Sequence, residues 1–75
     1  MPYIAVKMWP KSEADKQALA LHLTKAVTDA LDYPAEYVTV SIEEIAPDQW
    51  DETAGQEMKA NQDKMYIVQG KKVKD

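Results

Sequence analysis

The chemistry this chain could do starts at its second residue. Pro2 follows the initiator Met1 directly and leads at once into the strand-like run Tyr3-Ile4-Ala5-Val6-Lys7-Met8-Trp9. If Met1 is trimmed, as aminopeptidases normally do before a small second residue, Pro2 becomes a secondary amine held at the end of a strand. If Met1 stays, the Pro2 nitrogen is an amide and is no base. A free α-amino group titrates near ~8. Apolar surroundings and a nearby cation both lower that value, and the sequence supplies apolar strand residues and, within expected reach, Lys11. A base with a pKa near working pH is efficient. A neutral amine of this kind can take a proton from carbon beside a carbonyl and return it elsewhere on the conjugated system. That is a keto–enol tautomerisation, with no metal or cofactor. It needs a cation or backbone donor to steady the enolate oxygen. A Met-Pro opening is also commonplace with no chemistry attached, and position alone does not separate the two readings.

Few other residues compete for a chemical role. There are no cysteines and one histidine among 75 residues. Disulfides and thiolate zinc sites are thus excluded, and His22 has no companion for metal or acid–base work. It reads as structural or solvated. The net charge of −4 and the lack of a large basic cluster argue against nucleic acid as a partner. Lys71, Lys72 and Lys74 read as a short solvated basic tail. No apolar run approaches the ~20 residues that span a bilayer, and no signal-peptide pattern is present. We expect no membrane partner and a cytoplasmic protein.

The elements that must hold Pro2 follow in order. From Tyr3 to Trp9 the residues alternate, with Ile4, Val6 and Met8 on one face and Tyr3, Ala5, Lys7 and Trp9 on the other. Pro10 ends this strand. Ser12 is a natural N-cap, with Asp15 at capping-box spacing. The helix it opens carries the stripe Leu19, Leu23, Ala26, Val27, Ala30 and Leu31, with His22 on its flank and Leu21 opposite. Asp32-Tyr33-Pro34 stops it. A second alternating strand runs from Tyr37 to Ile45, with Val38, Val40 and Ile42 inward and Thr39, Ser41 and Glu43 outward. Strand, helix, strand with this crossover is a βαβ unit with parallel strands. Pro47-Asp48-Gln49-Trp50 reads as a loop leading into a helical turn. Asp51 to Lys64 is polar, weakly patterned and interrupted by Gly55, so irregular structure with one or two helical turns is expected there. Met65 to Val68 is a short third strand, turned by Gln69-Gly70, that closes an edge of its own sheet or a neighbour's.

The expected fold is therefore α+β: a β-α-β protomer over residues 1–75, one domain, with a two-stranded parallel sheet, one long helix and a short C-terminal strand. A chain this short buries only about 60–65% of its unfolded surface and needs added support. With disulfides and a metal core set aside, a homo-oligomer remains. The sheet's second face, bearing Tyr3, Ala5, Trp9, Thr39 and Ser41, is too apolar to leave in water, and its open edges carry unpaired backbone groups.

The order and spacing of these segments resemble the 4-oxalocrotonate tautomerase family. The resemblance covers most of the chain and is strongest through Trp50. It rests on Pro2-Tyr3-Ile4 opening a strand, on Lys11-Ser12-Glu13 leading to Lys16-Gln17-Ala18-Leu19, on Tyr37 to Glu44, and on Pro47-Asp48-Gln49-Trp50. The longer tail looks most like the short bacterial members that form dimers. The resemblance implies a β-α-β protomer that assembles as a dimer or hexamer, and Pro2 as catalytic base on a small-molecule substrate. It implies Trp50 as a substrate wall and Lys11 near the family's substrate-binding arginine. Trp50 serves equally as a core or interface residue, and Lys11 as a surface lysine.

Two departures from the family pattern bear on the substrate. Thr39 stands where well-known members carry arginine, and Ser12 stands where a further arginine is expected. Bidentate pairing of a dicarboxylate needs arginine, which lysine does not reproduce. A monocarboxylate enol of the arylpyruvate kind fits a pocket with Trp9, Trp50 and one lysine better. The competing reading is a non-catalytic oligomer that keeps the fold as a small-molecule binding or scaffold module. A hydrolytic dehalogenase ranks last: Glu43 or Asp51 could only weakly supply its carboxylate, and the chain has no arginine.

Overall fold

The computed structural model describes residues 1–74. Its first element, β1, spans Tyr3–Met8, and the alternation is visible in its burial. Ile4, Val6 and Met8 are half-buried while Tyr3, Ala5 and Lys7 are exposed. Trp9 lies beyond the strand end and is 56% exposed. Pro10, which has no N–H to add to the ladder, follows it directly.

Helix α1 spans Glu13–Leu31, with Ser12 as N-cap. The Ser12 hydroxyl accepts the Asp15 N–H at 3.1 Å, which satisfies one of the orphan donors of the first turn. The half-buried stripe is Lys16, Leu19, Ala20, Leu23, Thr24, Val27 and Thr28, at helical spacing. Ala26, Ala30 and Leu31, expected in that stripe, are exposed. The stripe ends at Thr28, three residues before the helix does. A shallow groove between Glu13, Lys16, Gln17 and Ala20 of α1 and Val40 and Ile42 marks the face it covers. The helix stops at Asp32, which adopts the left-handed region (φ 59°, ψ 33°) and donates its N–H to Thr28 O. This is the αL cap that normally falls to glycine or asparagine.

A 3-10 turn over Ala35–Tyr37 leads into β2, Thr39–Glu44. Tyr37, Val38 and Ile45, expected in this strand, lie just outside it. Strands β1 and β2 pair in parallel, in the register Tyr3 with Thr39 through Met8 with Glu44. The ladder extends one step at each end. Thr39 N–H donates to Pro2 O at 3.1 Å and Ile45 N–H donates to Met8 O at 2.8 Å. The β-α-β architecture with a parallel two-stranded sheet and one long helix is as the sequence predicts.

The C-terminal third departs from expectation. Residues 47–64 are helical almost throughout: a 3-10 turn at Pro47–Gln49, a π turn at Asp51–Gly55, helix α2 at Gln56–Ala60, and a second 3-10 turn at Gln62–Lys64. Gly55 does not interrupt the run, since its backbone is right-handed helical (φ −60°, ψ −43°). Strand β3 is shorter than predicted, Ile67–Val68, and pairs antiparallel with β4, Lys71–Lys72, in a separate sheet. Gln69 and Gly70 both have positive φ (50° and 78°), as a primed two-residue hairpin turn requires. So part of the basic tail is strand. Lys74 is also engaged, donating to Asp63 O at 2.9 Å and lying 4.2 Å over the Tyr66 ring.

Among the described residues only Ile45 and Ala54 are fully buried apolar residues. Ile45 sits at the end of the parallel ladder and Ala54 in the π turn, so the core follows the line where the C-terminal run meets the sheet. The radius of gyration is 13.7 Å, against roughly 11 Å for a compact chain of this length. The accessible surface is 6118 Å², against roughly 4,700 Å² for a globular monomer of this size.

A Cβ built on Gly55 would meet its nearest neighbour, Trp50 O, at 3.5 Å, an ordinary contact. Gly55→Ala is therefore expected to stabilise the chain by about 0.5–1 kcal/mol, the usual helix-interior difference. Urea midpoints check this; a lower midpoint would show that the π turn needs glycine for a reason other than space.

Candidate active site

Pro2 is fixed by the sheet. Its carbonyl is the first rung of the ladder, accepting from Thr39 N–H, and the residue is half-buried. Met1 before it is 87% exposed, as an end open to trimming would be. Tyr3 follows on the outer sheet face, where its hydroxyl lies 2.9 Å from the Ser41 hydroxyl.

Lys11 lies elsewhere. It follows the far end of β1, a strand of six residues that at ~3.3 Å per residue puts roughly 20 Å between the two. Within one chain Lys11 is therefore not the cation beside Pro2, contrary to the reach the sequence allows. Its loop is held by Glu44 at the end of β2. The Glu44 carboxylate accepts the Lys11 backbone N–H at 2.9 Å and lies 3.5 Å from the Lys16 ammonium. Lys16 in turn lies 3.6 Å from Glu13. The Lys11 hydrogen bond, aided by Lys16, holds the Glu44 carboxyl below the usual carboxylate range.

Trp50 is half-buried and belongs to two adjoining clefts. The first, about 320 Å³, lies on the outer face of the sheet between Ala5 and Lys7 of β1 and the helical run carrying Trp50, Ala54, Glu57 and Met58. Asn61 and Met65 complete its wall. The second, about 660 Å³, continues past Trp50, Met58 and Met65 to the apolar side of the β3–β4 hairpin, at Ile67, Val68 and Val73. Neither cleft is lined by Pro2, Lys11 or Trp9. The expected pocket with both tryptophans and Lys11 is thus not formed within one chain, because Trp9 and Lys11 lie past the end of β1.

Lys7, Glu57, Ala54 and Met58 were not among the sequence candidates. The Lys7 ammonium is hydrogen-bonded and ion-paired to Glu57, and Glu43 is its register partner on β2. The Glu57 hydrogen bond, with smaller help from Glu43, raises the Lys7 pKa above its ordinary value. The signal for this wall was present in the sequence. Trp50, Ala54, Met58, Asn61 and Met65 recur every three or four residues, a helical stripe inside a segment whose polar composition suggested largely irregular structure. Among the described residues no group of three or more His, Cys, Asp or Glu could hold a metal ion, and no helix is long and apolar enough to cross a membrane.

Comparison with known proteins adds to this geometry. A protein-family profile described as "Tautomerase enzyme" matches residues 2–53. The chain is 40% identical over 52 residues to Tautomerase PptA of Cronobacter sakazakii (strain ATCC BAA-894), covering 67% of this chain and 68% of that protein. Its fold matches the crystal structure of TomN, a 4-oxalocrotonate tautomerase homologue in the tomaymycin biosynthetic pathway. That match has a TM-score of 0.64 and 29% identity, over 96% of this chain and 88% of the other.

A carboxyl whose folded pKa is depressed stabilises the fold above the ordinary carboxylate range and loses that contribution as pH falls through its folded value. Glu44 should act this way. Urea midpoints measured from neutral pH into the acid range should fall less steeply for Glu44→Gln than for the parent. An identical acid slope would mean that Glu44 does not hold the Lys11 loop in solution.

Proposed function

The chain belongs to the tautomerase family, and on that premise we infer that it is a cofactor-independent isomerase using Pro2, freed of Met1, as general base. The substrate is a small enol or 2-oxo carboxylate. The observation that carries this reading is the clamp on Pro2, whose carbonyl is paired to Thr39 N–H at 3.1 Å. A base held by the sheet keeps its ring nitrogen in one place and loses no ordering entropy in the reaction.

The step balances within the substrate. The neutral amine takes the proton from carbon beside the carbonyl, the C–H electron pair becomes the C=C bond, and the carbonyl π pair moves to oxygen. The ammonium then returns the proton to that oxygen, or to carbon in the reverse direction. Preorganised donors near the oxygen supply the charge stabilisation. Lys11 is the cation proposed for the substrate's carboxylate and Trp50 the wall over its apolar part. Since Pro2 and Lys11 flank opposite ends of β1, a site using both is assembled from two copies of the chain.

The surface supports such an assembly. The accessible area of 6118 Å² exceeds that of a globular monomer of this size by well over 1,000 Å². A standard interface hides about 800 Å² per partner. Tyr3, Trp9, Leu21 and Ile67 are each more than half exposed. The proposed protein is a homo-oligomer. A second reading, a non-catalytic oligomeric binding or scaffold module, has one observation in its favour. The chain contains no arginine, so it lacks the fork that pairs carboxylates bidentately.

In protein shown by intact mass to lack Met1, Pro2→Ala should cost about 10²–10⁴-fold in turnover of phenylpyruvate enol, the usual worth of a general base. Unchanged turnover would remove Pro2 from the mechanism and leave the binding-module reading. The parent should also prefer phenylpyruvate enol to 2-hydroxymuconate, whose second carboxylate has no arginine to meet. A clear preference for the diacid would overturn the monocarboxylate assignment.

A further inference from the structure

The cleft beside Trp50 contains a charged group that the proposed reaction leaves without a task. Lys7 projects from the outer sheet face into its wall, and Glu57 of α2 reaches across to pair with it. The two side chains retain 35% and 53% of their exposure, so the pair sits at the mouth. Ala5, Ala54, Trp50 and Met58 line the cleft with it. The cleft's volume of about 320 Å³ lies at the lower end of the range for small-molecule pockets. A carboxylate on a lone cation, with an apolar slot behind it, is the arrangement a bound apolar carboxylic acid makes. Here the carboxylate belongs to the chain itself. Among the described residues Lys7 is the one cation lining this cleft, and Glu43 pairs with it in register on β2. A second carboxylate on a ligand would therefore meet Glu43 and the displaced Glu57 with no further positive charge to receive it.

We propose that Lys7 is the anchoring cation of a binding site for small aryl or alkyl monocarboxylates, and that Glu57 is the internal occupant such a ligand displaces. The proposal rests on reading Trp50 as the wall over the substrate's apolar part, and it puts Lys7, which lines that cleft, in the place given above to Lys11 as the cation meeting the carboxylate. Exchange frees the Glu57 side chain that the exposed pair had held, so the ionic part favours the acid modestly, within the worth of one surface pair. Net affinity comes from apolar contact with Trp50 and Met58, which for one ring is on the order of millimolar.

The chain has two tryptophans, so Trp9→Phe leaves Trp50 as the sole indole reporter. This protein is titrated with phenylacetate and with 2-phenylethanol, which keeps the ring and drops the charge. Fluorescence and calorimetry are read in parallel. Phenylacetate should bind more tightly than the alcohol. Glu57→Gln should tighten phenylacetate about two- to fivefold, the range set by losing one exposed competing pair, and leave the alcohol unchanged. Lys7→Met should abolish the preference for the acid. Both variants break the same ion pair, so mere loosening of α2 moves them together; opposite movement is the signature of displacement. Equal binding of acid and alcohol, or a common shift in both variants, would overturn the proposal. Binding is read without turnover, so failure of the Pro2 mechanism leaves these outcomes standing, and loss of the site leaves the Pro2 result standing.

Discussion

The parallel ladder between β1 and β2 is the interaction on which the other features depend. It runs without a break from the Pro2 carbonyl to the Ile45 amide. Its first rung fixes the residue proposed as base, and its last brings Ile45, one of the two buried apolar residues, to the edge of the core. Parallel strands cannot be joined by a tight turn, so the ladder also demands the nineteen-residue crossover helix. The loops at either end of that helix are closed by Glu44 of β2 at the start and by the Asp32 cap at the finish. A slip of β1 by one residue against β2 would turn Ile4 and Val6 away from the helix and put Lys7 beneath it.

The sequence disclosed this half of the molecule because its signals are local and strong. Strict alternation in Tyr3–Met8 and Thr39–Glu44, a serine cap and a proline stop each act within a few residues of where they are read. The second half was harder. Residues 51–64 are rich in charge and contain a glycine, the composition of a loop, yet Trp50, Ala54, Met58, Asn61 and Met65 mark one helical face. The π turn blurs that period, because a wider turn does not fit a strict 3.6-residue template. Tertiary contact with the sheet then outweighs weak propensity.

The site divides along the same line. Pro2 and Trp50 enter the proposed site through the family resemblance, since position alone does not separate a catalytic Pro2 from a commonplace Met-Pro opening. Lys7 was placed on the correct sheet face, beside Ala5, but nothing local told of a partner fifty residues later. The distance between Pro2 and Lys11 was hidden for the opposite reason. Nine positions look close on paper, but an extended strand lies between them, and extension is what makes that stretch a strand. A shared site for the two is a property of an assembly and is not visible in the spacing of one chain.

The π turn at Asp51–Gly55 has a consequence for how this chain can change. Its Gly55 N–H reaches back to Trp50 O at 2.9 Å, enclosing one residue more than an α-turn holds. Each residue rotates an α-helix by about 100°, so removing one residue here would swing α2 by about that much. Glu57 would leave Lys7, and a different face of the helix would meet the sheet. The segment can therefore accept new side chains far more readily than a new length: a lost codon there is a larger event than most altered ones.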